Sequence, residues 1–292
     1  MDNLKYRIVA YLGGGEGKAT LDVLCQEGFI PISVVIAEGT REKNKDIIST
    51  CQKEGILIIE RSESEGLLIQ QNEYNMLISS SFPHRIYKTE ISNISGPSVN
   101  IHSAILPLYR GANSGTWALI NGDTTIGVTI HEINEHFDAG KILGIYTTKV
   151  NLSMWYDEIR EQLSNIKKNL LIDYLRDTLL PQDQKISDPR SIYWRKRTKE
   201  DSRINWHMDA KKVFLFIRAL ARDPIYGFSN YNSTKYIFKK VSLTKYQNFG
   251  LLAGEVFDIN GTLFINCVDN FLLKIESYET TNKPLVKGLV LH

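Results

Sequence analysis

Cysteine is scarce in this chain of 292 residues: Cys25, Cys51 and Cys267 stand far apart and odd in number. They cannot make a disulfide framework or a cysteine-rich zinc site, and buried reduced thiols are the reading that remains. An excess of one charge is equally lacking. Lys and Arg number 35 against 33 Asp and Glu, and a net charge of +2 announces neither a nucleic-acid nor a membrane partner. No run of about 18 apolar residues occurs, so no segment is expected to span a bilayer. The opening residues carry charge on both sides of a short apolar run, unlike a signal peptide, and a cytoplasmic protein is expected. Repeats and low-complexity tracts are missing too. What is there is an ordinary globular composition, 42% hydrophobic and 23% charged, in a chain long enough for two domains and a full core.

The first half alternates short apolar runs with helical spacing. Arg7-Ile-Val-Ala-Tyr-Leu12, Ile30 to Ala37, Gly55 to Glu60 and Tyr74 to Ser80 read as buried strands, and the stretch from Gly17 to Gly28 reads as a helix. Continuous apolar strands separated by helices predict a doubly wound, Rossmann-like α/β domain, with ligands beyond the carboxyl ends of its strands. That directs attention to Gly13–Gly17 and Ser79–Arg85. A long amphipathic helix is predicted from Trp155 to Leu179, then a polar linker over Pro181–Pro189 and one more helix over 209–221. Short strand-like runs follow from Tyr226 to the end, with Asn260-Gly261 as a hairpin signal, and predict a small C-terminal β-barrel-like domain. The expected division is 1–203 for the first domain and 204–292 for the second.

Two motifs fail on inspection. Leu12-Gly-Gly-Gly-Glu-Gly-Lys-Ala19 lacks the first glycine and the Ser or Thr of a Walker A loop, and Lys18 stands where a dinucleotide fingerprint needs its third glycine. His131-Glu-Ile-Asn-Glu-His136 lacks the spacing of a zinc helix and reads as the end of a strand, so no metal is expected.

Another stretch carries chemistry. Asn100 and His102 lie two apart on a strand and point the same way, and Asp138 in an Asp-Ala-Gly turn is placed to reach them. An amide to stabilise an oxyanion, an imidazole to take a proton from an attacking amine and a carboxylate to orient it suit acyl transfer. A core histidine paired with a structural aspartate is the alternative that spacing leaves open.

Asn100-x-His102, Leu106-Pro107-x-Tyr109-Arg110-Gly111, Asn121-Gly122, Gly127-Val-Thr129 and Asp138-x-Gly140 together resemble the N10-formyltetrahydrofolate-dependent formyltransferases. The resemblance implies a catalytic domain of Rossmann type, a small C-terminal barrel and N10-formyltetrahydrofolate as co-substrate without a metal. It assigns catalysis to Asn100, His102 and Asp138. It also implies a folate pocket at Ser80, Phe82, Pro83, Arg85, Ile133, Asn134 and His136, held largely through backbone groups. Within the family the chain is too long for a glycinamide ribonucleotide transformylase. Residues 203–292 carry 12 Lys and Arg against 7 Asp and Glu, a thin excess for holding a tRNA. Ile78-Ser-Ser-Ser-Phe-Pro-His-Arg-Ile86 and Trp194-Arg-Lys-Arg-Thr resemble bacterial sugar N-formyltransferases acting on nucleotide-linked aminosugars.

On that reading a nucleotide-linked aminosugar is the partner and no nucleic acid is. Tyr109, Arg110, Tyr193, Trp194 and Arg195 are the expected contacts to its base and diphosphate. The best-fitting substrate is dTDP-4-amino-4,6-dideoxyglucose, for a surface polysaccharide such as O-antigen. Methionyl-tRNA formylation and a non-catalytic folate or nucleotide-sugar binding protein are the alternatives. The aromatic hairpin of Tyr226, Phe228, Tyr231 and Tyr236 suits a domain core or a homodimer surface.

Overall fold

Alternation along the strands decides how the first unit folds. In β1 (Ile8–Leu12), Ile8, Ala10 and Leu12 turn to one face of a sheet, and Val9 and Tyr11 turn to the other. The computed structural model describes residues 6–67, 69–70, 73–179, 184, 191–222 and 225–292. The predicted linker over Pro181–Pro189 therefore lies, apart from Gln184, outside the described residues.

After β1 come α1 (Gly14–Gln26), β2 (Ser33–Ala37), α2 (Lys45–Glu54), β3 (Leu57–Arg61), β4 (Met76–Ser80), α3 (Lys88–Ser92), β5 (Ser98–His102) and β6 (Tyr109–Gly111). The chain continues through α4 (Ser114–Ile120), β7 (Thr125–Glu132), β8 (Ile142–Lys149), α5 (Tyr156–Leu175) and β9 (Ile192–Trp194). The main sheet runs β3-β2-β1-β4-β5-β7-β8. Its first five strands are parallel, as the apolar runs predict, and β7 joins antiparallel to β5. Because β1 pairs with both β2 and β4, the strand order reverses beside Leu12 and Ser80, the place beyond the strand ends where doubly wound sheets take their ligands.

One face packs Leu21, Leu24, Ile47 and Cys51 of α1 and α2, and Leu170, Leu171 and Leu175 of α5, against the sheet. The other face is apolar at β1, β2 and β4, where Val9, Tyr11, Val35 and Leu77 meet Ile69, Tyr74, Ile86 and Ile94. At β5 and β7 the same face turns polar. Val99, Ile101, Val128 and Ile130 point to the helical side, so Asn100, His102, Thr129 and His131 share the opposite one.

By contacts the chain divides into two units, and the second comprises Ala112–Ile126, Lys149–Glu161 and Trp194–His292. It contains α6 (Ala210–Ala219), β10 (Gly227–Tyr231), β11 (Thr234–Gln247), β12 (Val256–Ile259), β13 (Thr262–Asn266) and β14 (Phe271–Thr280). The strands form an antiparallel sheet ordered β10-β11-β14-β13-β12. Val213, Phe214 and Ile217 of α6 pack on Tyr236, Phe238, Val241, Ile265 and Leu273. Asn260 and Gly261, with φ of 51° and 82°, make the two-residue turn between β12 and β13 that their sequence predicts. Tyr236 and Phe228 of the aromatic hairpin are buried within this unit.

Candidate active site

The antiparallel pairing of β5 with β7 sets Asn100 opposite His131 and His102 opposite Thr129. Thr129 Oγ1 donates to the Ala104 carbonyl at 2.7 Å and accepts from the Leu106 amide at 3.2 Å, fixing the chain where it leaves β5. Onto this polar patch the loop after β7 brings Asp138, which holds a left-handed φ of 51°. Two residues on, Gly140 lies so close to β7 that a Cβ there would stand 1.9 Å from the Glu132 carbonyl oxygen, so only glycine fits.

Asp138 is the centre of the cluster. The Gly111 amide donates to its Oδ2 at 2.8 Å, anchoring that oxygen. Its Oδ1 faces His102 Nδ1 at 3.5 Å, His131 Nε2 at 3.4 Å and Asn100 Nδ2 at 3.5 Å. His102 Nε2 lies 2.6 Å from the Tyr109 carbonyl, an acceptor only, so that nitrogen carries the proton. The free lone pair then belongs to Nδ1, beside the carboxylate. His131 Nδ1 likewise donates to the Glu132 carbonyl at 2.8 Å, which leaves its Nε2 to accept from Asn100 Nδ2 at 3.1 Å.

Electrostatics separate the two titrating partners. Burial lowers the His102 pKa, and the His131 ring adds to that, with the nearby Asp138 charge opposing. Burial would raise the Asp138 carboxyl, but His102 and His131 in their protonated forms, with the Gly111 amide, outweigh it and bring it down to about 2. At neutral pH the cluster therefore holds an ionised carboxylate beside a neutral imidazole, the state a general base needs.

The two segments expected to hold folate are neighbours. Arg85 is exposed and donates to the Glu135 carbonyl at 2.6 Å, while Lys88 pairs with the Glu135 side chain at 3.0 Å. This ties Ser80–Arg85 to Ile133–His136. Phe82 stands edge-on to Tyr11 at 5.1 Å, and Pro83 is exposed. The Ile133 amide donates to the Ser98 carbonyl at 2.9 Å, and the Asn134 side chain accepts from the His136 amide, also at 2.9 Å. Ser80 differs: its hydroxyl sits on the helical face of the sheet, where Lys167 donates to it at 3.1 Å.

Of the residues expected to hold the nucleotide, Tyr109 is buried and gives its carbonyl to His102. Arg110 donates from Nη2 to the Ser191 carbonyl at 3.0 Å. Tyr193 is 54% exposed, and partial burial together with the Asp138 charge raises its hydroxyl pKa. Trp194 and Arg195 belong to the second unit. There Trp194 stacks on Trp117 at 4.9 Å, and Arg195 grips Asp201 through both terminal nitrogens.

His131 is the residue that sequence reasoning missed. It is 2% exposed and touches both Asn100 and Asp138. Its signal was the alternation Thr129-Ile-His131, which puts the two polar residues on one face of β7. Among the described residues no group of three or more His, Cys, Asp and Glu side chains forms a metal site.

Residues 33–175 match the formyl transferase family, and residues 196–290 match the formyl transferase C-terminal domain. The chain belongs to the formyl transferase family. It is 31% identical over 174 residues to the bifunctional polymyxin resistance protein ArnA of Wigglesworthia glossinidia brevipalpis, covering 58% of this chain and 26% of that protein. It is 28% identical over 200 residues to methionyl-tRNA formyltransferase of Fusobacterium nucleatum, covering 66% of this chain and 63% of that one. The alignments thus span less than two thirds of the length of these curated relatives. The fold is shared with WlaRD, a sugar 3N-formyl transferase crystallised in the presence of dTDP and 5-N-formyl-THF. That likeness has a TM-score of 0.69 at 16% identity over 95% of this chain and 98% of that one. An N-formyltransferase from Helicobacter canadensis, in complex with folinic acid and dTDP-3-aminofucose, gives a TM-score of 0.68 at 16% identity over 92% and 98%.

Proposed function

We propose that this chain is a sugar N-formyltransferase, carrying the formyl group of N10-formyltetrahydrofolate to the amine of a nucleotide-linked aminodeoxy sugar. The observation that carries the reading is the convergence of Asn100, His102 and His131 on one oxygen of Asp138, in a chain of the formyl transferase family. Asn100 offers Nδ2 to the charge that develops on the formyl oxygen. One of its hydrogens is engaged by His131, and the other, in a long 3.5 Å contact to Asp138, is the one to be given up. His102 takes the proton released by the attacking amine at Nδ1, Asp138 stabilises the imidazolium that results, and the proton passes to N10 as the bond between N10 and the formyl carbon breaks and tetrahydrofolate leaves. Arg85 and Phe82, with the backbone of Ile133–His136, suit a flat heteroaromatic donor.

The sugar is inferred from two supports: correspondence over nearly the whole length with structures solved with dTDP or a dTDP-aminosugar, and the modest basicity of the second domain. We take dTDP-4-amino-4,6-dideoxyglucose, destined for a surface polysaccharide such as O-antigen, as the substrate, in a cytoplasmic enzyme. Tyr109, Arg110, Tyr193, Trp194 and Arg195 are the proposed nucleotide contacts. Initiator tRNA formylation is the second reading, favoured by the identity to methionyl-tRNA formyltransferases. The test is incubation with N10-formyltetrahydrofolate and a panel of dTDP-, UDP- and GDP-aminosugars, including dTDP-3-aminofucose, beside methionyl-tRNA. Mass spectrometry should show one formyl group gained by the 4-amino dTDP-sugar. Formylation of the tRNA alone would replace this reading by the second.

A further inference from the structure

Lys167 is a charged residue in the core of the first unit. Its side chain is 4% exposed, and it stands on α5 one turn before Leu170 and Leu171, on the face of the sheet opposite Asn100 and His102. Its ammonium has three hydrogens and three acceptors: the Glu16 carbonyl at 2.7 Å, Glu16 Oε2 at 3.0 Å and Ser80 Oγ at 3.1 Å. Glu16 Oε2 also accepts from Ser103 Oγ at 3.3 Å, and the Gly13 amide donates to the Ser80 carbonyl at 3.1 Å. One ammonium thus joins the first turn of α1, the last residue of β4 and the residue after His102. These elements meet at the carboxyl ends of the strands, beside the point where the strand order reverses.

A buried lysine paired with a half-exposed carboxylate is a poor device for stability alone, since taking its charge out of water is costly. Burial lowers the Lys167 pKa, and Glu16 is the group that opposes this. The three hydrogen bonds of the ammonium offset the cost of burying the charge, and they fix the first turn of α1 and the ends of β4 and β5 to one point.

We propose that Lys167 is a positioning residue for the formyl-donor pocket, holding the Ser80–Phe82 turn and the Ser103 end of β5 in register through Ser80 and Glu16. The role rests on the reading of the site as a folate-dependent formyltransferase. The inference needs no contact between Lys167 and substrate. It requires that losing the ammonium loosens the turn that carries Phe82 while the core around Leu170 stays packed.

The test is Lys167→Met, an apolar replacement of similar length, in the full chain. Calorimetry with 5-formyltetrahydrofolate is expected to show affinity weakened about tenfold in a variant that still unfolds cooperatively, with a melting temperature below that of wild type because the Ser80 hydroxyl and the Glu16 carbonyl lose their donor. In turnover, KM for the donor should rise by a similar factor, with kcat at saturating donor changing less than about twofold. Glu16→Ala, at a half-exposed position in the first turn of α1, is the second variant and should also weaken donor binding. Equal donor affinity in a folded Lys167→Met protein overturns the proposal. So does equal affinity in Glu16→Ala, should Lys167→Met fail to fold. Wild type that does not bind 5-formyltetrahydrofolate removes the formyltransferase reading itself and this role with it. Binding by wild type with no loss in either variant removes the positioning role alone.

Discussion

His102 Nδ1 faces Asp138 Oδ1 at 3.5 Å, and the other nitrogen of the same ring is committed to the Tyr109 carbonyl at 2.6 Å. The tautomer is thereby set: the proton sits on Nε2, and the nitrogen free to accept another lies against a carboxylate. A proton taken up at Nδ1 immediately becomes part of an ion pair. Asp138→Asn removes the charge while keeping the size and the contact from the Gly111 amide. Formyl transfer should fall on the order of 10²–10⁴-fold, the usual worth of a positioned acid–base group. Circular dichroism should be unchanged. A variant rate within a few-fold of wild type would remove His102 and Asp138 from the reaction.

The same geometry fixes a pH dependence. With His102 as the proposed base, activity needs a neutral His102 and an ionised Asp138. Burial, helped by His131, lowers the His102 pKa below the ordinary 6.5, so the base remains competent somewhat below that pH. As pH falls further the imidazole is protonated and the rate declines. Asp138, brought down to about 2, is still ionised where this happens. The acid limb of kcat/KM should therefore have its midpoint below 6.5 and a slope of one proton. A midpoint above that value, measured with an aminosugar whose own amine pKa is known, would assign the limb to another group.

Glycine at 140 is a steric requirement that the site inherits. Asp138 reaches its place only because the chain two residues on passes within touching distance of Glu132 on β7. Gly140→Ala must push the loop away from the strand and carry Asp138 with it. Turnover should drop about a hundredfold, the cost of displacing a catalytic group by about 1 Å. Unfolding measured in parallel should show a loss of stability as well, since the clash is with backbone. Wild-type activity in a folded Gly140→Ala protein would show that the Asp138 loop is not held by this contact.

Why was some of this legible in the sequence and some not? Period-two alternation is local, so Val99 and Ile101 going inward make Asn100 and His102 partners from spacing alone. The Asn260-Gly261 turn is local in the same way. His131 was not legible because its role depends on the antiparallel pairing of β7 with β5, a contact 31 residues apart that no spacing encodes. Lys167 lies further out of reach. One of two adjacent lysines in an amphipathic helix reads as solvated, and only the packed structure shows that it is buried, with a partner 151 residues away.

Arg61 and Glu90 carry the clearest prediction about stability. Both side chains are fully buried, and Arg61 Nε and Nη2 reach the two Glu90 oxygens at 2.9 Å and 2.6 Å. Around them the Phe82 and Tyr87 rings lie 5.6 Å and 5.2 Å from the guanidinium, and Nη2 also donates to the Arg85 carbonyl at 2.7 Å. The pair thus stands directly behind the Phe82–Arg85 segment. Arg61→Met leaves the Glu90 carboxylate buried without its cation and should cost about 3–5 kcal/mol in denaturant unfolding. Adding Glu90→Leu should recover only part of this. Glu90 also accepts from the Tyr11 hydroxyl at 2.9 Å, the Leu67 amide at 2.9 Å and the Tyr87 amide at 2.8 Å, and those donors would then be orphaned. Burial would raise the Glu90 pKa, but Arg61 and these donors hold it below its ordinary 4.5. The stability it contributes is therefore present above that value and lost as pH falls beneath it. Wild type should lose stability through that window and Arg61→Met much less. Equal pH dependence in the two proteins would show that the ion pair does not set the carboxyl's titration.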